Sequence, residues 1–163
     1  MAEQRKLPDW WPKKIVSGGQ TGVDRAALDW AIANGVPHGG WCPKWRRAED
    51  GLIPAHYNLA ETKAKAYRVR TKWNVRDSDA TLVVNSIALD GGTLMTAQFA
   101  QELGKPYLIA KLDIAGEDVR NAIAQWLRDQ DAEVLNVAGP RESKRPGIYD
   151  STIALLDGLA DTK

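Results

Sequence analysis

Short, continuous apolar runs alternate with segments of helical periodicity along this chain, and that alternation leaves few architectures open. The runs expected as strands are 14–17, 36–41, 64–71, 80–85, 106–110 and 134–138. The helical segments are 23–34, a short piece at 71–77, then 91–103, 116–129 and 147–159. Strands that are apolar throughout, rather than at every second residue, are buried on both faces. Interleaved with helices, they specify an α/β domain, doubly wound around a mainly parallel sheet in three layers. Ligands of such domains bind beyond the carboxyl ends of the strands, near the point where strand order reverses.

Bulk properties narrow the partners. The 163 residues fit one domain. Residues 13–163 are expected to form it, with a polar arm at 1–12 that ends in Asp9-Trp10-Trp11-Pro12. The formal net charge is +1, so no positive excess is available for nucleic acid or an anionic membrane surface. Cys42 is the single cysteine, which excludes an intrachain disulfide and fits a reducing compartment; the cytoplasm is expected. No apolar run reaches the roughly 18 residues of a membrane span, and no signal-peptide core is visible. Seven tryptophans and an apolar terminal helix give the expectation of a homo-oligomer, a dimer or tetramer.

Residues 42–60 have little periodicity and are expected as a long surface loop, with a short helix near 59–62. Four segments carry potential chemistry. Ser17-Gly18-Gly19-Gln20-Thr21-Gly22-Val23-Asp24 lies between a strand and a helix. Glycines there let the backbone turn tightly and approach a ligand, and the helix start offers free N–H groups and partial positive charge for a phosphate. The alternative is a tight turn capped by Thr21 or Asp24. The segment matches neither the full dinucleotide fingerprint nor a P-loop. Asp90-Gly91-Gly92-Thr93 repeats the strand-to-helix arrangement, and Thr96 lies one turn along from Thr93.

The third segment, Gly139 to Gly147, contains Arg141, able to grip a phosphate bidentately or simply to sit in a solvated charge run. The fourth is the long loop, where Lys44, Arg46 and Arg47 can add positive charge over the same sheet edge. Arg76, just before the strand at 80–85, is a further candidate. Cys42 has no second thiol to form a metal site with, and His38 and His56 lack ligand spacing. No catalytic triad or zinc signature stands out, so no catalytic residue is assigned. A hydrolase would have to activate water through Asp24, Glu49, Asp50 or Asp77, or through a metal of unknown identity.

On five motifs the chain resembles the molybdenum carrier family, relatives of the molybdenum cofactor carrier proteins. These are GGQTGVDRAALDWA at Gly18–Ala31, CPKWRRAEDG at Cys42–Gly51, WNVRDSDATL at Trp73–Leu82, GGT at Gly91–Thr93 and GPRES at Gly139–Ser143. The resemblance covers about residues 13–160 and reaches a wider Rossmann-like superfamily that includes the lysine-decarboxylase-like phosphoribohydrolases. It implies a Rossmann-like fold, oligomerisation, and binding of the molybdenum cofactor (molybdopterin) or a similar phosphorylated pterin or nucleotide. The implied binding residues are Gly18, Gly19, Gln20, Thr21, Gly22, Asp24, Lys44, Arg46, Arg47, Arg76, Gly91, Gly92, Thr93, Thr96 and Arg141. Two departures matter. Trp45 stands where the family has glycine after Pro-Lys, which restricts the loop's backbone or adds a stacking wall. The turn after Gly91-Gly92-Thr93 carries Gln98 and no acid, so the glutamate of the phosphoribohydrolases is missing. A carrier is therefore the leading expectation and a nucleotide-processing hydrolase the alternative.

Overall fold

Residues 5–86, 91–112 and 116–162 are described by a computed structural model. Five parallel strands form the central sheet: β1 (Lys14–Val16), β2 (His38–Gly39), β7 (Ala80–Asn85), β8 (Tyr107–Lys111) and β9 (Val134–Ala138). Their order is β2-β1-β9-β7-β8. The last strand thus inserts between the two halves of the sheet, with Ile15 beside Leu135 and Thr81 beside Asn136. All six residues of β7 are buried, as a strand flanked on both edges and covered on both faces must be. The chain is a Rossmann-like α/β domain.

Helices α1 (Val23–Ala33), α4 (Glu117–Gln130) and α5 (Ile148–Ala160) share one core with the sheet. Their buried residues, such as Ala27 and Trp30, Ile123 and Leu127, Leu155 and Leu159, recur at helical spacing. Trp11, packed 4.8 Å from Trp30 between ring centroids, joins the same core, and the Trp30 indole N–H donates to Asp157 at 2.9 Å. Helices α2 (Tyr67–Arg76) and α3 (Gly91–Glu102) pack together, with Val75 against Phe99 and Ala100.

The region between α1 and α2 departs most from the expected elements. The strand expected at 36–41 breaks at Gly40: His38–Gly39 joins the main sheet, while β3 (Trp41–Cys42) pairs with β6 (Ala60–Glu61) in a separate ribbon. Ala60–Glu61 is therefore strand where a short helix was expected. The long loop is organised further by a 3-10 turn at Lys44–Arg46 and a hairpin of β4 (Arg47–Ala48) and β5 (Gly51–Leu52). Cys42, Ala48, Ile53 and Tyr57 bury themselves against Leu28 of α1, so the segment has its own small core. Residues 64–71 contain no strand; α2 occupies 67–76 instead. Tyr67, Val69, Thr71, Trp73 and Val75 alternate like a strand, but of α2 only Asn74 and Val75 are buried, because the helix packs on α3 at one edge. Packing overrode the local pattern. Among the described residues, no helix is long and apolar enough to cross a membrane.

Candidate functional site

A cleft of about 270 Å³ opens beyond the carboxyl ends of β1, β7 and β9. Its walls come from four places in the sequence. Gly18, Gln20 and Asp24 follow β1; Asn136, Gly139, Pro140, Arg141 and Lys144 belong to β9 and the turn after it. Tyr67, Arg68, Arg70, Thr71 and Asn74 of α2 face Gly92, Thr93, Met95 and Thr96 of α3 across it. The Ser17 hydroxyl donates to the Val137 carbonyl at 2.6 Å and ties the ends of β1 and β9 together.

The first glycine turn is filled by the protein itself. A Cβ at Gly18 would lie 2.2 Å from Arg70 Nη1, so the missing side chain is what lets the guanidinium in. Arg70 donates to the Gly18 carbonyl at 2.7 Å and to Asp24 Oδ2 at 3.4 Å. The pair is deeply buried, the side chains being 11% and 8% exposed. At Gly22, with φ at +81°, a Cβ would meet the Pro140 carbonyl at 2.5 Å. Glycine there admits the 139–142 turn against the start of α1.

Several N–H groups of this turn are already spent. Gln20 N–H donates to Asp24, Thr21 N–H to its neighbour's Gln20 Oε1, and Val23 N–H to Pro140 O. Burial raises the Asp24 carboxyl above its ordinary value, against the lowering effects of Arg70 and the Gln20 N–H.

The second glycine turn is different. Nothing lies within 4 Å of a Cβ position on Gly92, and Gly92, Thr93 and Thr96 face the cleft. Thr93 and Thr96 are buried, and the Thr96 hydroxyl donates back to Gly92 O at 2.9 Å. The Lys144 ammonium stands 3.4 Å from the Cβ position of Gly91, so a cation sits at the positive end of helix α3. Asp90 falls outside the described residues.

The remaining candidates are dispersed. Thr21 is not part of the cleft lining; its hydroxyl donates to Glu49 and accepts from Glu142 N–H at 3.2 Å. Gly19 carries the Arg25 side chain on its carbonyl and is not part of the lining. Arg46 is a staple for the loop, donating to the carbonyls of Ile53, Pro54, Tyr57 and Leu59. Lys44 lies over the Trp45 ring. Arg47 is outside the lining, its guanidinium 5.1 Å from the centroid of the cleft residue Tyr67 and donating to the Lys65 carbonyl at 2.9 Å. Arg76, at the far end of α2, pairs with Asp77 and stacks on Trp73. Arg141 lines the cleft, and its Nε is 3.6 Å from Glu49.

Cys42 is buried in the loop's small core, and that burial pushes its thiol up from the ordinary range. This suits an inert filler rather than a nucleophile. Among the described residues no group of His, Cys, Asp or Glu is arranged to hold a metal ion.

Sequence reasoning did not single out the α2 wall. One signal for it was present: from Lys63 to Arg76 there are six cations and no acid. Arg68 and Arg70, two of the six, line the cleft. Asn136 was hidden inside an apolar strand, where its side chain donates to the Thr81 hydroxyl at 3.3 Å.

Comparisons with known proteins place this geometry. Residues 15–160 match the model of the circularly permutated YpsA SLOG family. Among solved structures the chain is similar to the crystal structure of a "putative molybdenum carrier protein" from Syntrophus aciditrophicus. The two are 46% identical, the match covers 91% of this chain and 94% of the other, and the TM-score is 0.89. A comparison with curated proteins found no match.

Proposed function

The chain belongs to the circularly permuted YpsA SLOG family, and as a member of it the protein acts, we propose, as a binding or carrier protein. Its cargo is the molybdenum cofactor (molybdopterin) or a similar phosphorylated pterin or nucleotide. The observation that carries this is Lys144 beside the start of α3. A cation at the positive end of a helix is electrostatically unfavourable by itself and becomes favourable when an anion lies between the two. Gly92 leaves open space at that spot, and Arg68 and Arg141 add positive charge to the walls.

The donor set therefore fits the phosphate end of such a cargo. Tyr67 offers a flat wall for a heterocycle, and Asn136 a polar edge deep in the cleft. The cleft is at the small end of ligand pockets, which run from about 300 Å³ upward, so part of a pterin would extend past the mouth toward Arg47. The name of the Syntrophus relative accords with this cargo.

Calorimetry with molybdopterin, molybdate and AMP tests the proposal, and no binding to any of them would end it. Thr93→Val and Lys144→Ala should each weaken binding about 10- to 100-fold, as loss of a charge-assisted bond of ~1.5–3 kcal/mol requires.

A second reading rests on Asp24, the one carboxyl lining the cleft among the described residues, held partly toward its neutral form by burial. In a nucleotide hydrolase it would serve as general acid or base. Release of free base from nucleoside monophosphates, abolished in Asp24→Asn, would establish that reading.

Self-association into a dimer or tetramer is part of the proposal. Trp45 and Leu52, 58% and 72% exposed on the same loop, are the surface that motivates it. Sedimentation showing only monomer at micromolar concentration would exclude it.

A further inference from the structure

The hairpin β4–β5 has only two residue pairs, too few to hold its own position in water. Its turn is tied down by two carboxylates. Asp50 accepts a bidentate pair of bonds from Arg25 at 2.6 and 2.8 Å. Glu49 reaches the opposite way, toward the cleft wall. Its carboxylate accepts from the hydroxyls of Thr21 and Ser143 and from the Ser143 N–H at 3.2 Å, with Arg141 Nε at 3.6 Å. The Glu49 N–H donates to the side chain of the cleft residue Gln20 at 2.9 Å.

Two hydroxyls, a backbone N–H and a guanidinium are the donors that receive a tetrahedral oxyanion. Here they converge on a carboxylate of the protein's own. The Arg141 Nε is buried and completes no hydrogen bond, since 3.6 Å is too long for one. Arg141 also lines the cleft, so an anionic group that engages it comes up against Glu49.

We infer that Thr21, Ser143 and Arg141 form a second oxyanion subsite beside the cleft, filled by Glu49 until a ligand carrying two anionic groups displaces it. The inference rests on the binding function proposed above. The ligand class is a diphosphate or another molecule with two oxyanion groups. One group lies at the start of α3 and Lys144; the other takes the Glu49 position and frees the hairpin turn. A ligand with a single phosphate leaves Glu49 in place.

The test uses pyrophosphate and inorganic phosphate as probes on the whole protein. Removing the competing charge in Glu49→Gln should tighten pyrophosphate binding roughly tenfold, the scale of one charge-assisted contact. Inorganic phosphate should change by less than about twofold. Asp50→Asn loosens the same hairpin through Arg25 but keeps the Glu49 charge in the subsite, so it should leave phosphate affinity near that of the parent and tighten pyrophosphate binding by much less than Glu49→Gln does.

Hydrogen exchange on the unmodified protein gives a readout independent of any variant: residues 47–53 should exchange faster with pyrophosphate than with phosphate. If pyrophosphate binds Glu49→Gln no more tightly than the parent, or residues 47–53 are equally protected with both probes, Glu49 is a fixed clamp and the inference fails. If neither probe binds either protein, the binding function itself fails, and the subsite with it.

Discussion

Arg70→Met is the substitution whose consequence the geometry defines most closely. The guanidinium fills the space vacated by the missing Gly18 side chain, bonds the Gly18 carbonyl at 2.7 Å and lies 3.4 Å from the buried Asp24. Methionine occupies similar volume and makes neither contact. Breaking a buried ion pair from one side costs ~3–5 kcal/mol, because the remaining charge is left unpaired. Asp24 limits the loss by taking up a proton, since burial already raises its pKa and Arg70 is the main group opposing that rise. The expected loss at pH 7.5 is therefore near ~3 kcal/mol, or a fall in Tm of about 6–12 °C for a domain of this size.

The pH dependence has a definite sign. A carboxyl whose folded pKa exceeds its unfolded value holds its proton more tightly when folded. Its contribution is fully present at low pH and is lost as pH rises from the ordinary value, 3.8, through the raised one. Without Arg70 the folded value climbs further, so the variant should lie closest to the parent near pH 4.5 and furthest from it at pH 7.5. Urea unfolding followed by far-UV circular dichroism at both pH values measures this. Adding Asp24→Asn to Arg70→Met should recover part of the loss at pH 7.5. A variant within ~1 kcal/mol of the parent at pH 7.5, or equally destabilised at both pH values, would refute the account.

Other substitutions give separable outcomes. Trp45 holds a left-handed backbone, φ 67°, with its indole exposed. Trp45→Gly relieves ~1–2 kcal/mol of strain but loses ~0.5–1 kcal/mol to chain entropy and a similar ~0.5–1 to each cation contact with Lys44 and Lys65. Urea unfolding should therefore find it within ~1 kcal/mol of the parent; the core change Trp30→Ala should cost ~3–5 kcal/mol. Tyr57 and Tyr149 both donate to Asp29, at 2.6 and 2.5 Å, and burial followed by that bond pushes Tyr149 up to about 12 and Tyr57 higher still. Stability should fall as pH rises above 10 toward those values, and Tyr149→Phe should flatten the fall in denaturation midpoints recorded across the alkaline range. Lys144→Ala should reduce the salt dependence of AMP binding as well as its affinity, because one attractive charge is removed; an unchanged salt slope in titrations at two ionic strengths would move the phosphate elsewhere.

Elements with strong burial on both faces were legible in the sequence. β7 and β9 match the expected runs residue for residue, and α1, α3, α4 and α5 lie within a residue or two of theirs. Continuous apolar runs and helical stripes record burial directly, so they survive as sequence patterns. The segment from 40 to 76 did not read as easily. Its ribbon strands are two residues long, and Arg46 holds the loop through four backbone carbonyls, a bonding pattern with no sequence periodicity. Helix α2 buries so little that its alternation of large and basic residues reads as a strand. The wall it lends to the cleft was hidden with it.

The two glycine turns look alike as sequence and do different things in the fold. Gly18 and Gly22 lack side chains so that protein can approach protein: Arg70 enters at one, the Pro140 carbonyl at the other. Three N–H donors of that turn are consumed by Asp24, Gln20 and Pro140. Gly92 lacks a side chain where nothing of the protein approaches. Glycine leaves room for a close approach in each case but does not say what takes that room. The distinction comes from residues distant in sequence: Arg70 of α2 at the first turn, and Pro140 at the first and Lys144 at the second, both carried in by the segment after β9, which inserts between β1 and β7. The first turn is thus the foundation on which α1, α2 and the 139–142 segment are joined. The proposed phosphate position belongs at the second, where a helix start, an open space and a cation coincide.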